Sequence, residues 1–172
     1  ARIIDALSRV RGAYSLAFLT LDRMIAARDP MGFRPLVIGR VKTAPEGYVV
    51  ASETWAHDLS EADYVREVEP GEIVIFSSQG VESLKPFAPS REAKCIFEYV
   101  YFSRPDSNLY GRNVYQVRKA FGRQLARDNP VEADLVTPVP DSGVPAAIGY
   151  AEEAKLPLEF GLIRNHYVGR TF

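Results

Sequence analysis

With 172 residues, a net charge of −1 and 47% apolar residues, the chain has the make-up of a globular protein holding one domain or parts of two. Acidic and basic residues are interspersed without long runs of one sign, which argues against nucleic-acid or anionic-membrane partners. No apolar stretch approaches the roughly 20 residues that span a bilayer, no signal-peptide pattern opens the chain, and one cysteine allows no internal disulfide, so a cytoplasmic location is expected.

Ile3, Ile4, Leu7 and Val10 fall on one face of a helix that reads as already under way at Ala1. The chain stops at Phe172 directly after Gly169-Arg170-Thr171, so an internal piece of a longer protein is expected. Residues 12–87 read as β-rich. Gly12–Leu21 and Met24–Arg28 are strand-like, and Asp29-Pro30-Met31-Gly32 is a strong turn signal, because proline presets φ and glycine accepts a positive one. Short hydrophobic runs follow at Pro35–Arg40, Tyr48–Ser52, Gly71–Phe76 and Val81–Leu84, spaced as antiparallel strands. Ser52–Leu59 suits one or two helical turns capped by Ser52.

Composition shifts at 86–94, where Pro86, Pro89, Ser90 and charged residues form a linker-like interval, and a domain boundary is placed after residue 88. Beyond it, Ile96–Phe102 reads as a buried-type strand running into the turn Arg104-Pro105-Asp106-Ser107. Val114, Val117, Phe121 and Leu125 repeat at helical spacing, which predicts an amphipathic helix over Asn113–Arg127 with Arg118, Lys119 and Arg123 near or on its wet side. Leu135–Val139, Pro145–Ala154 and Leu158–Ile163 read as strand, helix and strand, a βαβ unit that implies a parallel sheet.

Three segments could carry chemistry. Pro140-Asp141-Ser142-Gly143-Val144-Pro145 joins a strand to a helix N-terminus, where open α/β sheets bind anions, although Ser142 could equally cap the helix. Arg164-Asn165-His166-Tyr167-Val168-Gly169-Arg170 follows the next strand. Two arginines with a glycine and an aromatic suit a clamp over phosphates, or else a solvated charged loop. Cys95 could be a small buried hydrophobe. Catalysis by it is disfavoured, because no histidine lies near it in sequence.

The segment Cys95-Ile-Phe-Glu-Tyr-Val-Tyr-Phe-Ser-Arg-Pro-Asp-Ser107 closely resembles the one joining the two domains of the glutamine phosphoribosylpyrophosphate amidotransferases, or amidophosphoribosyltransferases. Tyr167-Val-Gly-Arg-Thr-Phe172 resembles the loop that folds over phosphoribosylpyrophosphate in that family. Pro140-Asp141-Ser142 with Ala146–Ala151 resembles the pyrophosphate-side loop of type I phosphoribosyltransferases. Gly12-Ala-Tyr-Ser15, Arg28–Leu36 and Ala51-Ser-Glu-Thr54 are similar to the back half of a class II N-terminal-nucleophile glutaminase domain.

The resemblance implies an α+β partial glutaminase domain at 1–88, followed at 89–172 by the first part of an α/β phosphoribosyltransferase domain. It further implies the first committed step of purine biosynthesis in the full-length parent: phosphoribosylpyrophosphate, glutamine and water go to phosphoribosylamine, glutamate and pyrophosphate. Substrate binding falls to Asp141, Ser142, Gly143, Arg164, Tyr167, Gly169 and Arg170, with Ser142 beside Mg²⁺. Some members carry a [4Fe–4S] cluster, one ligand of which matches Cys95. Purine nucleotide inhibitors and a homo-oligomer are implied as well. Arg164 and His166 stand where lysine and arginine are usual, which puts nucleotide inhibition in doubt. The Arg28–Leu36 motif is read as structural. Arg104, Asp106 and Ser107 are expected near the boundary between the two domains, facing the acceptor site and within about two helical turns (roughly 11 Å) of Ser142 or the 164–172 loop. No nucleophile with an adjacent α-amine and no Asp-Asp pair occurs here, so the piece itself is expected to be inactive. The readings that compete are another class II amidotransferase, such as glucosamine-phosphate synthase, and a non-catalytic regulatory protein built on these domains.

Overall fold

The computed structural model describes residues 2–43 and 47–169. Its contacts divide into two compact units, Ala1–Glu98 and Tyr99–Phe172.

In the first unit, α1 (Arg2–Ser8) precedes β1 (Ser15–Leu19) and β2 (Arg23–Arg28). After these come β3 (Val37–Val41), β4 (Gly47–Ala51), α2 (Trp55–Leu59), β5 (Ala62–Glu67), β6 (Ile73–Ser77) and β7 (Gly80–Leu84). Four strands form one antiparallel sheet in the order β1-β2-β6-β7, and three form another in the order β4-β3-β5. Strand alternation sorts the core into two layers. Met24, Ala26, Val74 and Phe76 turn toward Leu36, Ile38, Val50 and Val68. Ile25, Ala27 and Ile73 turn the other way and are covered by Leu7 and its helix neighbours Ile3 and Ile4.

The Arg28–Leu36 motif is structural, as its charges suggested. Arg28 and Asp29 are almost wholly buried. The Asp29 carboxylate accepts the Met31 N–H at 3.0 Å and the Phe33 N–H at 3.1 Å. Arg28 donates to the Arg34, Val68 and Gly32 carbonyls at 2.9, 2.6 and 3.1 Å. Gly32 closes this turn at φ +60°, where a Cβ would meet the Pro70 ring at 2.7 Å.

Two expectations for this unit change. β5 was not foreseen, because four of its six residues are ionisable or charged at Asp63, Tyr64, Arg66 and Glu67, and only Ala62 is buried. The short helix starts at Trp55 with Thr54 in the cap position, rather than Ser52, and no side chain closes the cap. The linker-like interval is not loose either. The Ala93 and Cys95 N–H groups donate to the Met31 and Phe33 carbonyls, both at 2.9 Å, which ties residues 93–95 to the first unit. The contacts therefore divide after Glu98, whereas composition put the boundary at 88.

Ile96–Phe102 is not a strand. Glu98–Phe102 forms a wide π-helical turn, with Val100, Tyr101 and Phe102 exposed. A strand needs a partner ladder, and none of the described strands pairs with this segment.

In the second unit, a small hairpin pairs β8 (Asn108–Leu109) with β9 (Arg112–Asn113) and leads into α3 (Val114–Asp128). Asn113 caps α3 by accepting the Gln116 N–H at 3.2 Å. α4 (Val144–Ala154) packs along α3 at a small-residue seam: a Cβ on Gly122 would lie 1.9 Å from the Ala146 carbonyl oxygen, and one on Gly149 would lie 1.9 Å from that of Lys119. Ion pairs from Lys119, Arg123 and Arg127 to Glu152 and Glu153 flank the seam. The expected strands at 135–139 and 158–163 reduce to one parallel bridge between Val136 and Leu158. The Val136 N–H donates to Pro157 and the Glu159 N–H to Val136, at 2.9 and 3.0 Å. The crossover through α4 is thus present, but the parallel sheet is not developed among the described residues. Leu135, Val139, Leu162 and Ile163 lie exposed.

Candidate functional site

Sequence put Arg104 on one turn, Ser142 on another and Arg164 on a third. The second unit brings all three to one cavity of about 900 Å³, large for a small-molecule site. Its lining includes the strap Ser103-Arg104-Pro105. Pro140-Asp141-Ser142, leading to α4, lines it as well, and the Pro140–Asp141 peptide bond is cis. Arg164, Tyr101, Phe102 and Arg118 of α3 complete the lining.

The strap is built so that its alternate residues face opposite ways. Ser103 and Ser107 are buried, whereas Arg104 and Asp106 are exposed. Arg104 is oriented by a two-pronged pair with Asp106, at 3.1 and 2.7 Å. Arg164 lies 3.2 Å from the Asp141 carboxylate. Gly143, not Ser142, occupies the cap position of α4, so the capping role open to Ser142 is not taken up, and Ser142 is among the residues lining the cavity. Gly143 is needed there for close packing, since a Cβ would meet the Val139 carbonyl oxygen at 2.7 Å.

The exposed guanidinium groups of Arg104 and Arg164, with Ser142 and Asp141 on the same lining, suit an anion with several oxygens that guanidinium forks can match in pairs. Tyr167 and Gly169 do not line this cavity. Tyr167 is fully exposed, and its N–H donates to the Asn165 side chain at 2.9 Å. Arg170 lies outside the described residues. Cys95 is half-buried in the first unit. Among the described residues no group of three or more His, Cys, Asp and Glu side chains is placed to hold a metal ion.

Arg118 was expected near or on the wet side of α3 and is buried. The signal was available: Val114, Arg118, Gly122 and Ala126 are spaced four apart and form the buried stripe of α3.

The chain is 51% identical to the amidophosphoribosyltransferase of Rhizobium etli over 99% of its length. It is 52% identical to that of Bacillus subtilis and 53% identical to the chloroplastic one of Glycine max, again over 99% of its length. The chain matches part of an amidophosphoribosyltransferase. It covers 30 to 35% of those relatives, so it spans about a third of their length. A solved structure of the allosteric regulatory enzyme of purine biosynthesis superposes at a TM-score of 0.93 and 51% identity, over 99% of this chain and 36% of the other. The glutamine phosphoribosylpyrophosphate amidotransferase of B. subtilis, solved with ADP and GMP, superposes at 0.91 and 51%, over 99% and 37%. No protein-family model matches the chain.

Proposed function

We propose that this chain is part of an enzyme that makes phosphoribosylamine from phosphoribosylpyrophosphate and glutamine, and that the cavity of the second unit receives the diphosphate of the phosphoribosyl donor. On this reading the first unit belongs to a class II glutaminase domain and the second to a type I phosphoribosyltransferase domain, in a protein of a reducing compartment. The observation that carries the proposal is the convergence of Arg104, Arg164 and Ser142 on one cavity, in a chain with this likeness.

The reaction breaks the bond from ribose C1 to the diphosphate oxygen and forms one from C1 to the nitrogen of ammonia released from glutamine. Negative charge grows on the departing diphosphate, so donors already aimed at its oxygens lower the barrier. Arg104 and Arg164 sit at the cavity for that role, and Arg164 must exchange Asp141 for the ligand. Tyr101 and Phe102 help to exclude water. Mg²⁺ fits this setting, because it is commonly held by substrate phosphates and water with one or two protein oxygens, which Ser142 and Asp141 provide; when bound it would neutralise diphosphate charge. A [4Fe–4S] cluster takes four thiolates, and this chain supplies Cys95 alone, so no step passes through it.

The test is calorimetric titration of pyrophosphate with Mg²⁺ into the chain and into Ser142→Ala, alongside glutaminase and phosphoribosylamine assays. The expected result is binding that Ser142→Ala weakens, with no turnover, since Cys95 has no α-amine beside it. Absence of pyrophosphate binding refutes the site. Turnover abolished by Cys95→Ala refutes the assignment of roles.

A further inference from the structure

Arg118 takes no part in the roles assigned above beyond lining the cavity, yet its placement is specific. It is 3% exposed. Its Nε donates to the Tyr99 carbonyl and its Nη2 to the Ser103 carbonyl, both at 2.6 Å. One turn earlier on α3, the Val114 and Tyr115 N–H groups donate to the Ser107 and Pro105 carbonyls, both at 2.9 Å. The strap from Ser103 to Ser107 thus hangs from α3 by carbonyls at both ends and the middle, and Arg118 holds the end nearest the cavity. With its carbonyls anchored and Pro105 fixing φ, the strap has little freedom in where it presents the Arg104 guanidinium.

We infer that Arg118 is a positioning residue for anion binding, acting through Arg104. This rests on the proposal that the cavity takes a diphosphate. Arg118 does its work as a fork that spans two carbonyls, each bond being charge-assisted. Lysine keeps the charge but is a point donor on a flexible stem and does not bridge both carbonyls in a fixed geometry. Arg118→Lys therefore frees the strap while leaving the charge of the cavity unchanged, which separates geometry from electrostatics.

The experiment is a double-mutant cycle on the full chain, with pyrophosphate and Mg²⁺ as the probe, using Arg118→Lys, Arg104→Met and the pair. Thermal melts and hydrogen exchange at the Val114 and Tyr115 amides accompany it. Arg118→Lys is expected to weaken binding on the order of tenfold, comparable to one charge-assisted hydrogen bond, with faster exchange at those amides. Once Arg104 is gone, adding Arg118→Lys is expected to change affinity by less than about twofold, because positioning an absent group has no effect. A purely structural role for Arg118 would weaken binding equally in both backgrounds. Wild-type affinity in Arg118→Lys, or losses that multiply in the pair, overturns the inference and leaves the diphosphate site standing. Absence of binding in the wild type removes the site, and the inference with it.

Discussion

Replacing Gly149 by alanine sets two effects of opposite sign against each other. By helix propensity alone the change in α4 stabilises by about 1 kcal/mol. The seam says otherwise. An added Cβ would sit 1.9 Å from the Lys119 carbonyl oxygen, 2.8 Å from its carbon and 3.2 Å from the Arg123 nitrogen, all backbone atoms that cannot turn aside. Carbon contacts settle near about 3.5 Å, so α3 and α4 must part by roughly 1.5 Å. A gap of about 1 Å already forfeits up to half of the dispersion energy of the atoms on either side, and overpacking of this kind costs about 1–3 kcal/mol. Gly122 is in the reciprocal position, 1.9 Å from Ala146 oxygen, so the same applies to it. The expected net effect of Gly149→Ala is no gain and a loss of up to about 2 kcal/mol, the steric cost less the propensity gain. Urea unfolding followed by far-UV circular dichroism reads it, because α3 and α4 are the longest helices described. A variant that is more stable than the wild type by the propensity increment would refute the close approach of the two backbones.

Two further predictions concern the first unit, whose Trp55 gives a fluorescence signal found nowhere else in the chain. His57 is 1% exposed, both its nitrogens lack a partner, and burial pushes it below the ordinary imidazole value against a smaller upward pull from Asp58, with the Tyr64 ring 6.2 Å away. The unfolded chain then binds the proton more readily, so its contribution is fully present above about pH 6.5 and is lost as pH falls, by up to roughly 1.4 kcal/mol per pH unit. Urea midpoints at about pH 7.5 and pH 5 should diverge less in His57→Leu, and an unchanged difference would count against this. Asp29→Ala leaves the Met31 and Phe33 N–H groups without their carboxylate and is expected to lower stability by on the order of 3 kcal/mol, with a wild-type urea midpoint as the contrary result.

What could be read from the sequence is what depends on neighbours in the chain. The Asp29-Pro30-Met31-Gly32 turn announces itself because its bonds run from Asp29 to residues two and four places on. Asn113 marks the start of α3 because a cap acts on the N–H three residues ahead. The loops holding Arg104, Ser142 and Arg164 were likewise visible as polar breaks between hydrophobic runs, and they do line one cavity. β5 was missed and Ile96–Phe102 was misread for the converse reason. Ladder bonds to β3 make a strand of the charged β5 segment, while 96–102 is apolar enough for a strand but pairs with no described one. Local propensity carries neither fact.

Arg118 shows where the two kinds of information meet. An arginine on an amphipathic helix is ordinarily placed in water, and the charged residues beside it, Lys119 and Arg123, do form partly exposed ion pairs with Glu152. Position 118 differs in lying four residues from Val114 and four from Gly122, on the stripe that the helix buries. A charge on that stripe is tolerable if carbonyls receive it, and those of Tyr99 and Ser103 do. The burial of one cation thus follows from the helix pattern, but its partners come from a turn that the pattern of 96–102 disguised as a strand. The strand reading of 96–102 thus hid what receives the Arg118 charge, because Tyr99 lies within the wide turn at Glu98–Phe102 and Ser103 directly follows it.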